Sequence, residues 1–168
     1  MKQTKNSNEG FTLIELLLVI IILAVLVGLI TSNLLTSVKR GRDQRRKSDL
    51  AQIQRALELY YEDVKSYPAS LPLGSGLSSG TKMYMMKLPN DPLYSSTTPI
   101  NTSTYSYIQG ASGQSYVLLS CIENTQDSGV GVSQSGFKNG ATLLTCGGCG
   151  TCKYLMGSYS ITPFPTAP

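Results

Sequence analysis

The chain contains no histidine and no tryptophan, and no proline precedes Pro68. Without histidine, the commonest general base and metal ligand near neutral pH is missing, which argues against a hydrolase or transferase. Without an early proline, nothing forces a break in a helix before that point. A phosphate-binding loop is absent too: Gly74-Ser75-Gly76 and Gly147-Gly148 lack a following Lys-Ser/Thr and a strand-to-helix setting. Charge is scarce, with Asp, Glu, Lys and Arg at 14% of residues, and one stretch almost lacks it. Phe11 to Ile30 reads FTLIELLLVIIILAVLVGLI, and Glu15 is its single charge. A helix of that length spans roughly 30 Å, the thickness of a bilayer's hydrocarbon core. A carboxylate at the centre of such a helix costs about 2.5–3.5 kcal/mol, and less near an end. Glu15 therefore reads as a functional group.

Beyond the apolar run the charge returns in a block. Lys39, Arg40, Arg42, Arg45, Arg46 and Lys47 put six cations in nine residues, opposed by Asp43. This explains the net charge of +4. So close to an apolar span, anionic lipid headgroups are a nearer partner than nucleic acid, and a merely solvated helix face is the plain alternative. Leu50, Ile53, Leu57, Tyr60 and Val64 then recur at helical spacing, with Ala56 and Tyr61 beside them. Arg46, Asp49, Arg55, Glu58, Glu62 and Lys65 fall largely between those positions, as a solvent face would. Both halves read as one continuous helix ending near Ser66, before Tyr67-Pro68.

After Pro68 the pattern changes to short strands and turns. Leu71 to Gly80 reads as a Gly/Ser loop and Met83 to Leu88 as a short helical turn. Strands are expected over Tyr105–Ile108, Ser115–Ile122 and Tyr154–Ile161, with a fourth over Ala141–Cys146. The proline-rich tail ITPFPTAP cannot sustain a sheet. The expected fold class is α+β: a long N-terminal α-helix packed on a small antiparallel β-sheet.

The N-terminal residues carry a resemblance. A short polar leader holding Lys2, Lys5 and Glu9 ends in Gly10, and Gly10-Phe11-Thr12-Leu13-Ile14-Glu15 opens the apolar run. This resembles the type IV prepilins and type II secretion pseudopilins. In the head, Ala56-Leu57-Glu58-Leu59-Tyr60-Tyr61, Ser66-Tyr67-Pro68, Leu88-Pro89-Asn90-Asp91-Pro92 and Tyr105-Ser106-Tyr107 follow in the order and spacing of the major, G-type pseudopilins. The resemblance covers most of residues 10 to 122. It departs at Leu93-Tyr94, which stand where that group usually has Trp-Gly. The calcium site of those pseudopilins does not carry over, because Glu123 and Asp127 are too few carboxylates for an oxygen-ligand shell.

The resemblance implies a type IV pilin-like fold and a division into four parts. Residues 1–10 are a leader removed by a prepilin peptidase, 11–35 a transmembrane and filament-core helix, 36–66 an amphipathic continuation, and 67–168 an extracytoplasmic head. It further implies cleavage between Gly10 and Phe11, N-methylation of Phe11, and a pairing of Glu15 with the Phe11 amine of a neighbouring subunit. The same pairing within one subunit is sterically open, since Glu15 is about 6 Å along the axis from that amine. The positive-inside rule would put the basic block of residues 39–47 in the cytoplasm. Processing of the motif requires the opposite orientation, with the N-terminus cytoplasmic, and the motif is the more specific signal.

Cys121, Cys146, Cys149 and Cys152 depart from the family pattern. The C-x2-C-x2-C run in CGGCGTC fits zinc or an iron–sulfur cluster by spacing. An even cysteine count in an exported head favours disulfides, and each of the three connectivities ties Cys121 to the 146–152 cluster.

The function expected is that of a structural subunit of a type IV pilus or type II secretion-like filament, neither an enzyme nor a cofactor protein. Its partners are copies of itself and related pilins, the prepilin peptidase, an inner-membrane assembly platform and membrane lipids. It is anchored by one span in the cytoplasmic membrane, then incorporated into a periplasmic or extracellular filament. A minor or tip adhesive pilin is the alternative within that class. A membrane-anchored extracytoplasmic metal or redox protein, using the cysteine cluster, is the alternative from another. Material from the native host should have the intact mass of a chain beginning at N-methylated Phe11; a chain retaining Met1 to Gly10 overturns the prepilin reading.

Overall fold

The computed structural model describes residues 10–95, 104–139 and 141–158, with all their side chains except those of residues 29–33. The leader before Gly10, the end of the strand expected at Tyr154–Ile161, and the ITPFPTAP tail lie outside the described residues. The chain divides into two compact units, Met1–Val38 and Lys39–Pro168. One helix, α1 (Leu13–Val64), enters both.

In the first unit the helix is apolar on every side, and its side chains from Leu13 to Val27 are exposed. An all-round apolar surface is stable only when something covers it, whether lipid or protein. Among the described residues no helix is long and apolar enough to cross a membrane. The side chains of the apolar run are described from Phe11 to Val27, with Gly28 after them.

In the second unit α1 presents the expected stripe. Leu50, Ile53, Ala56 and Leu57 are buried and Tyr60 and Tyr61 half-buried, whereas Val64 is 40% exposed where the stripe runs off the core. The helix stops at Val64, two residues before the expected Ser66. Lys65 turns left-handed (φ +59) and donates its N–H to the Tyr61 carbonyl at 2.8 Å, a single-residue cap of the kind glycine usually supplies.

Among the described residues seven short strands follow: β1 (Leu77–Ser79), β2 (Lys82–Met85), β3 (Ser106–Gln109), β4 (Tyr116–Ser120), β5 (Lys138–Asn139), β6 (Thr142–Leu143) and β7 (Tyr154–Gly157). The helical turn expected at Met83–Leu88 is instead β2, paired antiparallel to β1. The reason is local: Gly80 adopts a φ of +56, and the tight turn between Ser79 and Lys82 folds the chain back on itself. β1 lies in what read as a Gly/Ser loop. β3, β4 and β7 form an antiparallel sheet in the order β3-β4-β7, near the expected strands. Only Thr142–Leu143 of the fourth expected strand pairs regularly, with a further bridge between Thr145 and Thr151. At the β3–β4 connection Gly113 is obligatory. Its φ is +68, and a Cβ there would lie 2.2 Å from the Ser66 hydroxyl oxygen.

β4 is buried along its whole length. Successive strand residues point to opposite faces, so Tyr116 and Leu118 meet the helix core with Leu50, Ile53 and Leu57. Val117 and Leu119 meet a second apolar cluster containing Phe137, Cys121, Cys146 and Cys152. The cysteines pair Cys121–Cys149 and Cys146–Cys152, leaving none free. The expected tether of Cys121 to the cluster is thus Cys149, and with no thiolate left over the zinc and iron–sulfur readings are set aside.

Cys121 and Cys149 are 28 residues apart. Closing a loop of that size in the unfolded chain contributes about 3–4 kcal/mol on the loop-entropy estimate. Cys121→Ser should therefore lower the stability of the Lys39–Pro168 unit by about that amount in urea unfolding. A loss below about 1 kcal/mol would mean that packing, and not the cross-link, holds the cysteine loop down.

Candidate functional site

At the start of α1, Gly10 and Phe11 are exposed and precede the helix. Thr12 occupies the N-cap position. The Glu15 Oε2 accepts from the Thr12 N–H at 2.9 Å and from the Thr12 hydroxyl at 2.8 Å, and the Thr12 Oγ1 lies 3.4 Å from the Glu15 N–H. Thr12-Leu13-Ile14-Glu15 is a capping box, in which the first and fourth residues satisfy each other's free backbone donors. Ser/Thr-x-x-Glu is legible in the sequence, yet the apolar run draws attention to the charge of Glu15 and away from this second role. A carboxylate held at a helix N-terminus is also stabilised by the helix dipole. Glu15 is thus compatible with an apolar helix by virtue of its position.

The basic block does not act as a unit. Arg46 is fully buried, correcting its place on the expected solvent face and in the expected headgroup contact. Its guanidinium donates to Asp91 at 2.7 and 3.1 Å, to Asp43 at 2.8 Å and to Glu123 at 2.7 Å. Glu123 is also gripped by Arg42, whose Nε donates at 2.8 Å. Lys47 donates to Asp127 at 2.7 Å and lies 5.5 Å from the centroid of the Tyr154 ring. Lys39, Arg40 and Arg45 are exposed. So three of the six expected membrane-surface cations are engaged inside the head.

The carboxylates around Arg46 are themselves well bonded. Asp43 accepts the Asn124 N–H at 2.8 Å and the Glu123 N–H at 3.0 Å, and Asp91 accepts the Leu93 N–H at 2.9 Å. Asp49, also misassigned to the solvent face, is buried and accepts the Tyr105 hydroxyl at 2.8 Å. Burial and this carboxylate push the Tyr105 phenol up, so it stays a neutral donor. Glu58 stays exposed and accepts from Tyr67 and Tyr116, each at 2.9 Å. In sequence, Asp91 reads only as one letter of Leu-Pro-Asn-Asp-Pro, and nothing local pairs it with Arg46. Burial costs Arg46 charge stabilisation, but bonds to Asp91, Glu123 and Asp43 outweigh it and raise its pKa.

Glu123 and Asp127, which could have served a cation, instead bind α1. Among the described residues no cluster of three or more His, Cys, Asp or Glu side chains is arranged to hold a metal ion. The arrangement fastens loops to a helix.

The Arg42 hydrogen bond, then that of Arg46, pulls the Glu123 carboxyl from its ordinary value of 4.5 down to about 2. A depressed folded pKa stabilises the fold above the unfolded value and loses that contribution as pH falls through the folded one. The urea midpoint of the head should therefore drop between roughly pH 4.5 and pH 2, and Glu123→Gln should flatten that part of the profile. An unchanged acid slope in Glu123→Gln would assign the loss to other carboxylates.

The N-terminal segment matches a family model described as a prokaryotic N-terminal methylation motif, over residues 5–31. Curated relatives are also found. The type II secretion system core protein G of Aeromonas hydrophila is 35% identical over 39% of this chain and 46% of its own length, so the chain spans about half of that relative. The same-named protein of Escherichia coli K12 is 30% identical over 52% of this chain and 68% of its own length. That of Klebsiella pneumoniae is 33% identical over 51% of this chain and 69% of its own. No solved structure matches. With the methylation motif at the start of the apolar helix and a match of at least 30% identity over 68% and 69% of the Escherichia coli and Klebsiella pneumoniae proteins, the chain belongs to the type II secretion system core protein G family.

Proposed function

We propose that this protein is a structural subunit of a type II secretion-like pseudopilus, joined to its neighbours through the apolar half of α1. The observation that carries the reading is a helix exposed on every apolar side from Leu13 to Val27 and headed by a single capped carboxylate. Such a surface needs a cover. Lipid supplies it before assembly, and the same half-helices of other subunits supply it in a filament. The chain sits in the cytoplasmic membrane with its N-terminus inside and its head outside, and a prepilin peptidase cuts after Gly10. Copies of the chain, related pseudopilins and a membrane assembly platform are its partners. Lys39, Arg40 and Arg45, exposed at the start of the second unit, face the anionic headgroups.

Removal of the leader leaves an ammonium on Phe11, three bonds from the capping residue Thr12. Glu15 then has two tasks: its Oε2 closes the cap on Thr12, and its negative charge receives the Phe11 ammonium of the next subunit. A cation and a carboxylate each cost more alone in an apolar medium than together.

The two tasks separate by mutation. Glutamine at the fourth position still closes a capping box, so Glu15→Gln keeps the cap and loses the charge, whereas Glu15→Leu loses both. Both variants should insert in the membrane, and both should give at least about tenfold fewer filaments, the loss expected from about 1.4 kcal/mol of missing pairing. Filament yield equal to the parent in Glu15→Gln would show that the cap, and not the charge, is what assembly needs. Parental yield in Glu15→Leu would remove Glu15 from assembly altogether.

A further inference from the structure

The two disulfides lie in one apolar cluster yet are not equally reachable. Cys121, Cys146 and Cys152 are 1%, 0% and 0% exposed, and Cys149 alone of the four is part-exposed. Its surroundings are open for a sequence reason: Gly147, Gly148 and Gly150, all exposed, flank it and carry no side chain to shield its sulfur. Gly150 (φ +79) has nothing within 4 Å of where a Cβ would stand. The Cys146–Cys152 bond, by contrast, is buried at both ends beneath Val117, Leu119 and Phe137.

Thiol–disulfide exchange requires a thiolate to reach one sulfur in line with the bond, so access decides which bond reacts. We propose that Cys121–Cys149 is an exchangeable latch, opened and closed through Cys149 by a dithiol reagent or dithiol protein, while Cys146–Cys152 is sealed. In opening, the incoming thiolate attacks the Cys149 sulfur, a mixed disulfide forms there, and the Cys121 sulfur leaves as a thiolate that takes up a proton. The second thiol of the dithiol then displaces Cys149, so the dithiol is oxidised by two electrons and the latch reduced by two. Closing is the reverse, with an oxidised dithiol as acceptor.

The latch has a structural consequence. The cysteine loop covers the outer face of the sheet, where Val117, Leu119, Ile108 and Leu155 lie. Among the described residues its regular structure is the two-residue strands β5 and β6 and the Thr145–Thr151 bridge. The Cys146–Cys152 bond closes the loop upon itself, with six residues of separation, and does not bind it to the sheet. Cys121, directly after β4, is its disulfide attachment there, while the backbone runs on from Cys152 into β7. Opening the latch therefore frees the loop from an apolar sheet face and leaves the small ring intact.

The inference stands apart from the filament reading, and its test uses the full chain in membranes. Membranes carrying the protein are treated with a dithiothreitol series, quenched with an isotope-coded alkylating reagent, and mapped by peptide mass. Cys121 and Cys149 should be labelled together at concentrations where Cys146 and Cys152 carry at least about tenfold less label. Treatment with the monothiol glutathione should give its adduct on Cys149. Four cysteines labelling in parallel, Cys146 and Cys152 labelling first, no labelling short of denaturation, or a glutathione adduct on Cys121 would each overturn the proposal. Because no variant is involved, a folding defect cannot imitate any of these outcomes.

Discussion

The head is organised around one buried guanidinium. Arg46 reaches, from a single helical position, a carboxylate one turn away on its own helix, another in the segment after β2 and a third in the loop after β4. Removing a guanidinium from water costs several kcal/mol, and attraction within the protein offsets this only when every donor is well placed. Planarity and five fixed donors make arginine suited to that task, where lysine would offer a single point charge. The segments carrying Asp91 and Glu123 have little regular structure of their own. Their attachment to α1 depends on Arg46 finding both carboxylates at once, and loss of one partner would leave a buried charge uncompensated.

A second constraint follows from the size of the head. A domain of this length buries a smaller fraction of its surface than a large one and has little stability to spare. Here a three-stranded sheet is sandwiched between α1 and a loop with almost no secondary structure, so β4 is covered on both sides. The helix side is an ordinary apolar core enriched in tyrosine, with Tyr67 packed edge-on against Tyr116 at 4.5 Å between ring centres. On the other side a smaller apolar cluster is supplemented by two disulfides, which limit the unfolded chain.

The first unit follows different rules. Its apolar side chains from Leu13 to Val27 are exposed, so its stability depends on what covers them. That fits a chain whose start matches a prokaryotic N-terminal methylation motif. The capping box gives this helix a defined start, and the same carboxylate is the one charge available to the cover. In the assembly proposed above, the carboxylate that closes this cap is also the one that receives a neighbour's Phe11 ammonium.

What the chain determines locally was legible in order along it. The apolar run, the stripe Leu50-Ile53-Leu57, the three central strands and the pairing of Cys121 with the cluster follow from periodicity, turn residues and cysteine count. These signals come from neighbours in sequence. The failures share one cause. Arg46 and Asp49 read as solvent-facing because their partners, Asp91, Glu123 and Tyr105, lie 45 to 77 positions away, and a charged residue buried by distant partners looks the same in sequence as an exposed one. Met83–Leu88 failed for a smaller reason: β2 forms only because Gly80 folds it back on β1. The choice of Cys149 over Cys146 or Cys152 was likewise decided by the tertiary structure, since three cysteines within seven residues offer the same local signal and only the docked loop decides which sulfur meets Cys121.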